Sequence, residues 1–223
     1  MAKSKEIMYT FDHDLFLWLN FDGGPVMDGI MTTISGTLMW IPLYLLIIYL
    51  IWRKLGWQRT IGFVVCVGLA IGFSDIISSI FKQSGPLANL LPNDFPFRPR
   101  PMFTAELDFY TPLQRPDLTN GLEFYIKHHG TGGVYGTVSG HAATTVALAW
   151  MSALAIRKNW YNWVIGVSVV LICYSRIYLA KHFPMDVLLG AIVGTILGLS
   201  IFFLWKKFDK VIEKNYLCAR KSF

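Results

Sequence analysis

Five stretches of this 223-residue chain are apolar over nearly the length of a bilayer, at 36–52, 60–81, 138–156, 163–180 and 185–205. A helix needs about 20 predominantly apolar residues to cross the hydrocarbon core, and inside that core a single segment satisfies its backbone polar groups only as a helix. With 54 % hydrophobic and 15 % charged residues, the chain reads as an all-α polytopic membrane bundle of about five transmembrane helices. One domain over 1–223 is expected, with its core at about 63–198. The first stretch is short unless it begins near Asp28. The segment 9–21 carries too few apolar residues to span and is expected to lie in the interface, a sixth span being the alternative for 9–35. Asp12, His13 and Asp14 interrupt any apolar core after Lys3 and Lys5, so no cleavable signal peptide is expected.

The loop charges give an orientation. Arg53, Lys54 and Arg59 lie between the first and second spans, Arg157 and Lys158 between the third and fourth, and Lys206, Lys207, Lys210, Lys214, Arg220 and Lys221 after the fifth. Short cytoplasmic loops are rich in Lys and Arg, and tryptophan favours the headgroup layer. Trp52, Trp57, Trp160, Trp163 and Trp205 sit at the same span ends, so these ends and the basic tail at 206–223 are expected in the cytoplasm. Membrane topology accounts for the net charge of +6, and no basic and aromatic surface suggests nucleic acid. Lys3 and Lys5 fit poorly, because an odd number of spans places them outside.

The opposite face receives a long loop, 83–137, and the short turn around Lys181 and His182. Seven prolines between Pro86 and Pro116 exclude a continuous long helix there. A loop of that length is usually functional. Gly68 and Gly72, and Gly190, Gly194 and Gly198, form small-residue faces at helical spacing. Packing within the chain is preferred over dimerisation for them, and both stay open. Cys66 and Cys173 fall within spans and Cys218 in the tail, which argues for neither a disulfide nor a metal site.

Three polar constellations fall on that outer face. The first is Ser175-Arg176, with Lys181-His182 and Asp186 further on. Pro184 is tolerated in a first helical turn, so Asp186 can share a face with His182 four residues earlier and orient its ring. The plainer alternative is a set of snorkelling side chains with a helix-start carboxylate. The second is Ser139-Gly140-His141, where a capping serine and a glycine open a helix N-terminus to phosphate and His141 could deliver a proton. A lone cap beside a buried histidine is the alternative. The third is Lys82, followed by Arg98-Pro99-Arg100-Pro101, fixed charges suited to phosphoryl oxygens. Asp75, an ionisable group inside a span and seven residues before Lys82, is a functional candidate that could orient that lysine.

These residues resemble the type 2 phosphatidic acid phosphatase superfamily, whose motifs are Lys-x6-Arg-Pro, Pro-Ser-Gly-His and Ser-Arg-x5-His-x3-Asp. The third is matched at every fixed position from Ser175 to Asp186, and the second with Val138 in place of proline. The first departs: fifteen residues separate Lys82 from Arg98 and seventeen separate it from Arg100, which requires an insertion. Where tandem Arg-Pro pairs occur in the family the second arginine holds the motif position, so Arg100 ranks above Arg98, with Arg115 third. The likeness spans about 63–198, and Gly132 to Gly136 looks like bacterial membrane members.

The resemblance implies that His182 attacks phosphorus to form a phosphohistidine, Asp186 supports its ring and His141 protonates the leaving oxygen. Lys82, Arg100, Ser139, Gly140 and Arg176 would hold the equatorial oxygens. No metal and no cofactor are expected; Glu106 and Asp108 read as solvated loop charges, and His128 and His129 as exposed or headgroup-facing rather than metal-binding. The expected partners are the membrane and a lipid phosphate, at a site facing the periplasm from a bacterial inner membrane. Lipid A ranks slightly ahead of undecaprenyl diphosphate, because the insertion after Lys82 could shape the rim for a saccharide headgroup. Phosphatidylglycerol phosphate or phosphatidate is the alternative. The competing class is a non-catalytic transporter or lipid-binding scaffold.

Overall fold

The computed structural model describes residues 2–84, 86–92, 95–104, 110 and 133–221. Glu106, Asp108, Arg115, His128 and His129 lie outside the described residues. Among those described there are seven α-helices: α1 (Ala2–Leu19), α2 (Gly24–Ser35), α3 (Ile41–Leu55), α4 (Trp57–Phe81), α5 (Gly140–Ile156), α6 (Asn159–Tyr178) and α7 (Pro184–Lys221). The chain is a polytopic helical membrane protein.

Four helical segments are long and apolar enough to cross a bilayer: Leu38–Leu55, where a 3-10 turn extends α3 upstream, Trp57–Phe81, Asn159–Tyr178 and Pro184–Lys210. The expectation of about five is therefore met only in part. The remaining apolar helix, α5, has 17 residues, about 25 Å of rise against a core of about 30 Å. Its start is set by Ser139, whose side chain accepts from the Ala142 N–H and whose own N–H donates to the Asp186 carbonyl at 3.0 Å. The demands of the α7 turn fix where α5 begins, and length gives way to them.

The core lies between α4, α5 and α7. A Cβ at Gly190, Gly194 or Gly198 would come within 2.4, 2.3 and 2.8 Å of the backbone oxygens of Ser139, Ala143 and Ala147, so the glycine face of α7 lies directly against α5. Gly68 and Gly72 of α4 have nothing within 4 Å. At the basic end, Lys54 caps α5 by donating to the carbonyls of Ala155 and Ile156 at 2.8 and 3.0 Å, and Arg59 pairs with Asp209. Phe63, Trp205, Met151 and Tyr161 pack in the same half. The helix ends bearing Arg53, Arg59, Arg157 and Lys158 thus share one end of the bundle, and the polar constellations share the other.

At that other end α1 and α2 pack against the site. Asp12 and Phe16 of α1 are buried, and Phe16 meets Phe183 edge-on at 5.2 Å. Asn20 donates to the Tyr178 carbonyl at 2.9 Å, and Asp28 of α2 accepts from Tyr110 and Tyr178 at 2.6 and 2.7 Å. The stretch after α4 folds back by an aromatic run: Phe81, Phe95, Phe97 and Tyr135 are spaced 5.8, 4.9 and 5.3 Å apart. Residues 98–100 then pair with 134–136, the Arg100 N–H donating to the Val134 carbonyl and the Gly136 N–H to the Arg98 carbonyl, each at 2.9 Å. This short ladder delivers the arginines to the helix entrance despite the lengthened spacing from Lys82.

Candidate active site

The turn between α6 and α7 carries His182. Just beyond α6, Ala180 adopts the left-handed region, φ 50°, and the N–H groups of Lys181 and His182 both donate to the Arg176 carbonyl at 3.0 and 3.2 Å. That wrap satisfies carbonyls left open at a helix end and fixes His182 relative to Arg176. The ring is buried. Its Nδ1 lies 3.0 Å from the Gly136 carbonyl and 3.8 Å from Asp186 Oδ2. A carbonyl only accepts, so Nδ1 carries the proton and Nε2 keeps the lone pair. Burial, and then the charges of Arg100, Arg176 and Lys82, push the imidazole well below its ordinary pKa, which holds it neutral.

Asp186 stands further from the ring than a direct hydrogen bond requires. Its Oδ2 accepts from the Phe183 N–H at 2.9 Å and its Oδ1 is 3.5 Å from Arg98. Arg98 also pairs with Asp12 and lies over the Phe183 ring, 3.8 Å from its centroid. Asp12 in turn accepts from the Met185 N–H at 3.0 Å. Arg98 therefore belongs to a carboxylate clamp behind the histidine. Arg100 is the arginine that faces the cations: its charge depresses Lys82, Lys181 and His182, and its Nε donates to the Tyr135 carbonyl at 3.3 Å.

Lys82 follows α4 directly, and its ammonium would stand 3.3 Å from a Cβ placed on Gly140. The lysine therefore lies over the open N-terminus of α5, where free backbone donors and the helix dipole favour an anion. Burial, Arg100 and Arg176 lower Lys82 to about 8; burial, Arg176 and Arg100 do the same to Lys181. Clustered cations that depress one another await a compensating anion. Arg176 is buried and donates from Nη1 to Ser35. His141, first in line behind Gly140, is exposed at the mouth. Below it a cavity of about 490 Å³ runs between α3, α4, α5 and α6, polar at Lys82, Gly140 and His141 and lined further in by Ile47, Val64, Val67, Ile71 and Leu148. A charged entrance over an apolar trough suits a phosphate on a hydrocarbon chain.

Residues 63–210 match the PAP2 superfamily. The chain belongs to that family. It is accordingly a membrane lipid phosphatase, a phosphoric monoester or diphosphate hydrolase, and the alternative of a non-catalytic transporter or scaffold falls away. A lipid A 4'-phosphatase of Bacteroides thetaiotaomicron is 29 % identical over 210 residues, 94 % of this chain and 84 % of the relative. An undecaprenyl-diphosphatase of Sulfolobus acidocaldarius is 26 % identical over 190 residues, 83 % and 74 % of the two chains. Among solved structures, a transmembrane PAP2 type phosphatidylglycerolphosphate phosphatase from Bacillus subtilis superposes with a TM-score of 0.57 at 20 % identity, over 92 % of this chain and 88 % of that one. That likeness is one of fold.

The structure brings His141, His182, Asp186, Lys82, Arg100, Ser139, Gly140 and Arg176 to one end of the bundle. Ser139 faces inward as a buried cap, so Gly140 and the neighbouring backbone, more than its hydroxyl, form the open cradle. Four groups in contact with these residues belong to no motif in that role: the Gly136 carbonyl, Asp12, Ser35, and Arg98 as a clamp. Asp12 did carry a signal, a carboxylate among Phe11, Leu15 and Phe16. A carbonyl's role has no signature in residue identity.

Proposed function

We propose that this phosphatase removes phosphate from an envelope lipid, lipid A ahead of undecaprenyl diphosphate, through a phosphohistidine on His182. The observation that carries the reading is the 3.0 Å approach of His182 Nδ1 to the Gly136 carbonyl, which leaves Nε2 as the nitrogen with an available lone pair. In the first step Nε2 bonds to phosphorus as the bond to the leaving oxygen breaks, and His141 supplies that oxygen's proton. In the second, water attacks phosphorus, His141 takes its proton, and the P–N bond breaks to release phosphate and neutral His182. Lys82, Arg100, Arg176 and the Gly140 backbone hold the equatorial oxygens, where charge spreads in the transition state. Asp186 supports the cationic ring as it forms. These steps use no metal or cofactor.

Lipid A is favoured by the relative from Bacteroides thetaiotaomicron, named a lipid A 4'-phosphatase, and by the lengthened segment after Lys82, which offers extra rim to a saccharide headgroup. The name of the Sulfolobus acidocaldarius relative keeps undecaprenyl diphosphate as the second reading. The basic loops support a site on the periplasmic side of a bacterial inner membrane. Purified protein in excess chelator should release phosphate from a panel of lipid phosphates, fastest from lipid A, and vanadate should inhibit it. His182→Ala should lose at least about 10³-fold in kcat and His141→Ala about 10²-fold or more. Full activity in the His182 variant would sink the mechanism.

A further inference from the structure

Asp75 takes no part in the phosphate chemistry, yet it stands inside a membrane-spanning helix, where a carboxyl is costly to keep. Val64, Val67, Ile71, Asp75 and Lys82 all line the cavity, at spacings that set them along one face of α4. The carboxyl therefore interrupts the apolar wall two turns, or about 10 Å, inward of the lysine. Across the cavity α5 presents His141, Thr144 and Leu148. Thr144 donates to its own helix, with its hydroxyl 3.0 Å from the Gly140 carbonyl and 3.3 Å from that of His141. Asp75 has no hydrogen-bond or ion-pair partner among the described residues.

Orienting Lys82 would explain the carboxyl poorly. Side chains on a helix meet at three or four residues, not seven, and the Asp75 charge is the smallest of the influences on Lys82, behind burial, Arg100 and Arg176. What the position does fit is a polar group on the ligand in the cavity. With the phosphate at Lys82 and Gly140 and the hydrocarbon running inward, an acceptor about 10 Å below meets the first linkage between headgroup and chain. In an acylated amino sugar that region carries amide N–H groups and acyl hydroxyls; in a polyprenyl diphosphate it carries only hydrocarbon.

We propose that Asp75 is a specificity-determining residue that accepts a hydrogen bond from a hydroxyl or amide N–H of the lipid near its phosphorylated headgroup. It thereby favours amide-linked or hydroxyacylated lipid phosphates over polyprenyl ones. The inference rests on the proposed function, since it needs a lipid phosphate seated with its chain in the cavity. Losing the acceptor should cost about one hydrogen bond, near tenfold in selectivity.

The test compares kcat/KM of full-length wild type, Asp75→Leu and Asp75→Asn on lipid A, undecaprenyl diphosphate and dioleoyl phosphatidate in one detergent. The lipid A to undecaprenyl diphosphate ratio should fall about tenfold or more in Asp75→Leu, through KM, and recover most of the way in Asp75→Asn, whose amide oxygen still accepts. An equal loss on all three substrates would overturn the inference in favour of action through Lys82, and an unchanged ratio would overturn it outright. Wild-type protein that released no phosphate from any of them would instead overturn the proposed function, and wild type active only on the polyprenyl lipid would overturn both the lipid A preference and the role of Asp75.

Discussion

Two arginines separated by one proline do different work. Arg100 stands among Lys82, Lys181 and Arg176, whereas Arg98 reaches back to Asp12 and Asp186 and covers Phe183. Arg100→Ala should lower kcat/KM by about 10²-fold or more, the scale of one lost transition-state donor, and weaken vanadate inhibition in step. Arg98→Ala should leave vanadate affinity nearly intact while lowering kcat and the Tm in detergent, because two buried carboxylates lose their counter-ion. Equal loss of vanadate affinity in the two variants would return Arg98 to the phosphate site. The pH dependence has a definite sign. Lys82 is depressed to about 8 by burial, Arg100 and Arg176, so its positive form dominates below that pH and is lost as pH rises through it. kcat/KM, which reports the free enzyme, should fall above about pH 8, with Lys181 contributing to the same limb. A bound phosphate dianion raises both lysines, so kcat should fall only at higher pH. In Lys82→Arg the guanidinium stays charged and the limb should move upward; an unmoved limb would remove Lys82 from it.

Among the helices, the α5 and α7 contact holds the site together, because Ser139, Gly140 and His141 begin one helix and Asp186 lies in the first turn of the other. Gly194 is its tightest point, where a Cβ would come within 2.3 Å of the Ala143 backbone oxygen. Backbone cannot swing away as a side chain can, so Gly194→Ala should destabilise by about 1–3 kcal/mol, seen as a lower Tm and reduced activity. Gly72→Ala, with nothing within 4 Å, should change Tm little; equal shifts in the two variants would place the packing elsewhere. The sequence made this face visible through its period of four but not its partner, since a glycine stripe says that something approaches closely and not what does. The same limit applied to the ends of elements. Hydropathy located α4, α6 and α7 well, while the start of α5 was set by the hydrogen bond from Ser139 to the Asp186 carbonyl, which no periodicity carries. The motifs singled out His182, His141 and Arg176 as candidates because the chemistry expected of them lies in residue type. The choice between Arg98 and Arg100 rests on a two-residue ladder against 134–136, formed by backbone atoms alone.

At the scale of the whole molecule, the bundle has an end that carries the candidate site and a basic end, joined by long apolar helices. α4 leaves Gly56 and arrives at Lys82, α5 starts at the site and ends beside Lys54, and α6 returns from Lys158 to Arg176. α1 and α2 pack on the catalytic end through Asp12, Asn20 and Asp28. Neither is among the segments long and apolar enough to cross, and Lys3 and Lys5 lie in α1, outside the basic cluster. The positive-inside rule weighs short loops near span ends, and there Arg53, Lys54, Arg59, Arg157 and Lys158 outweigh two N-terminal lysines. A reporter active only outside the cytoplasm should therefore work when inserted near Leu90 and fail near Gly56 or after Phe223. Neutralising Lys3 and Lys5 should leave that pattern unchanged, whereas neutralising Arg53, Lys54 and Arg59 together should erode it. The opposite pattern at Leu90 and Gly56 would turn the catalytic end toward the cytoplasm, and with it the source of the lipid phosphate.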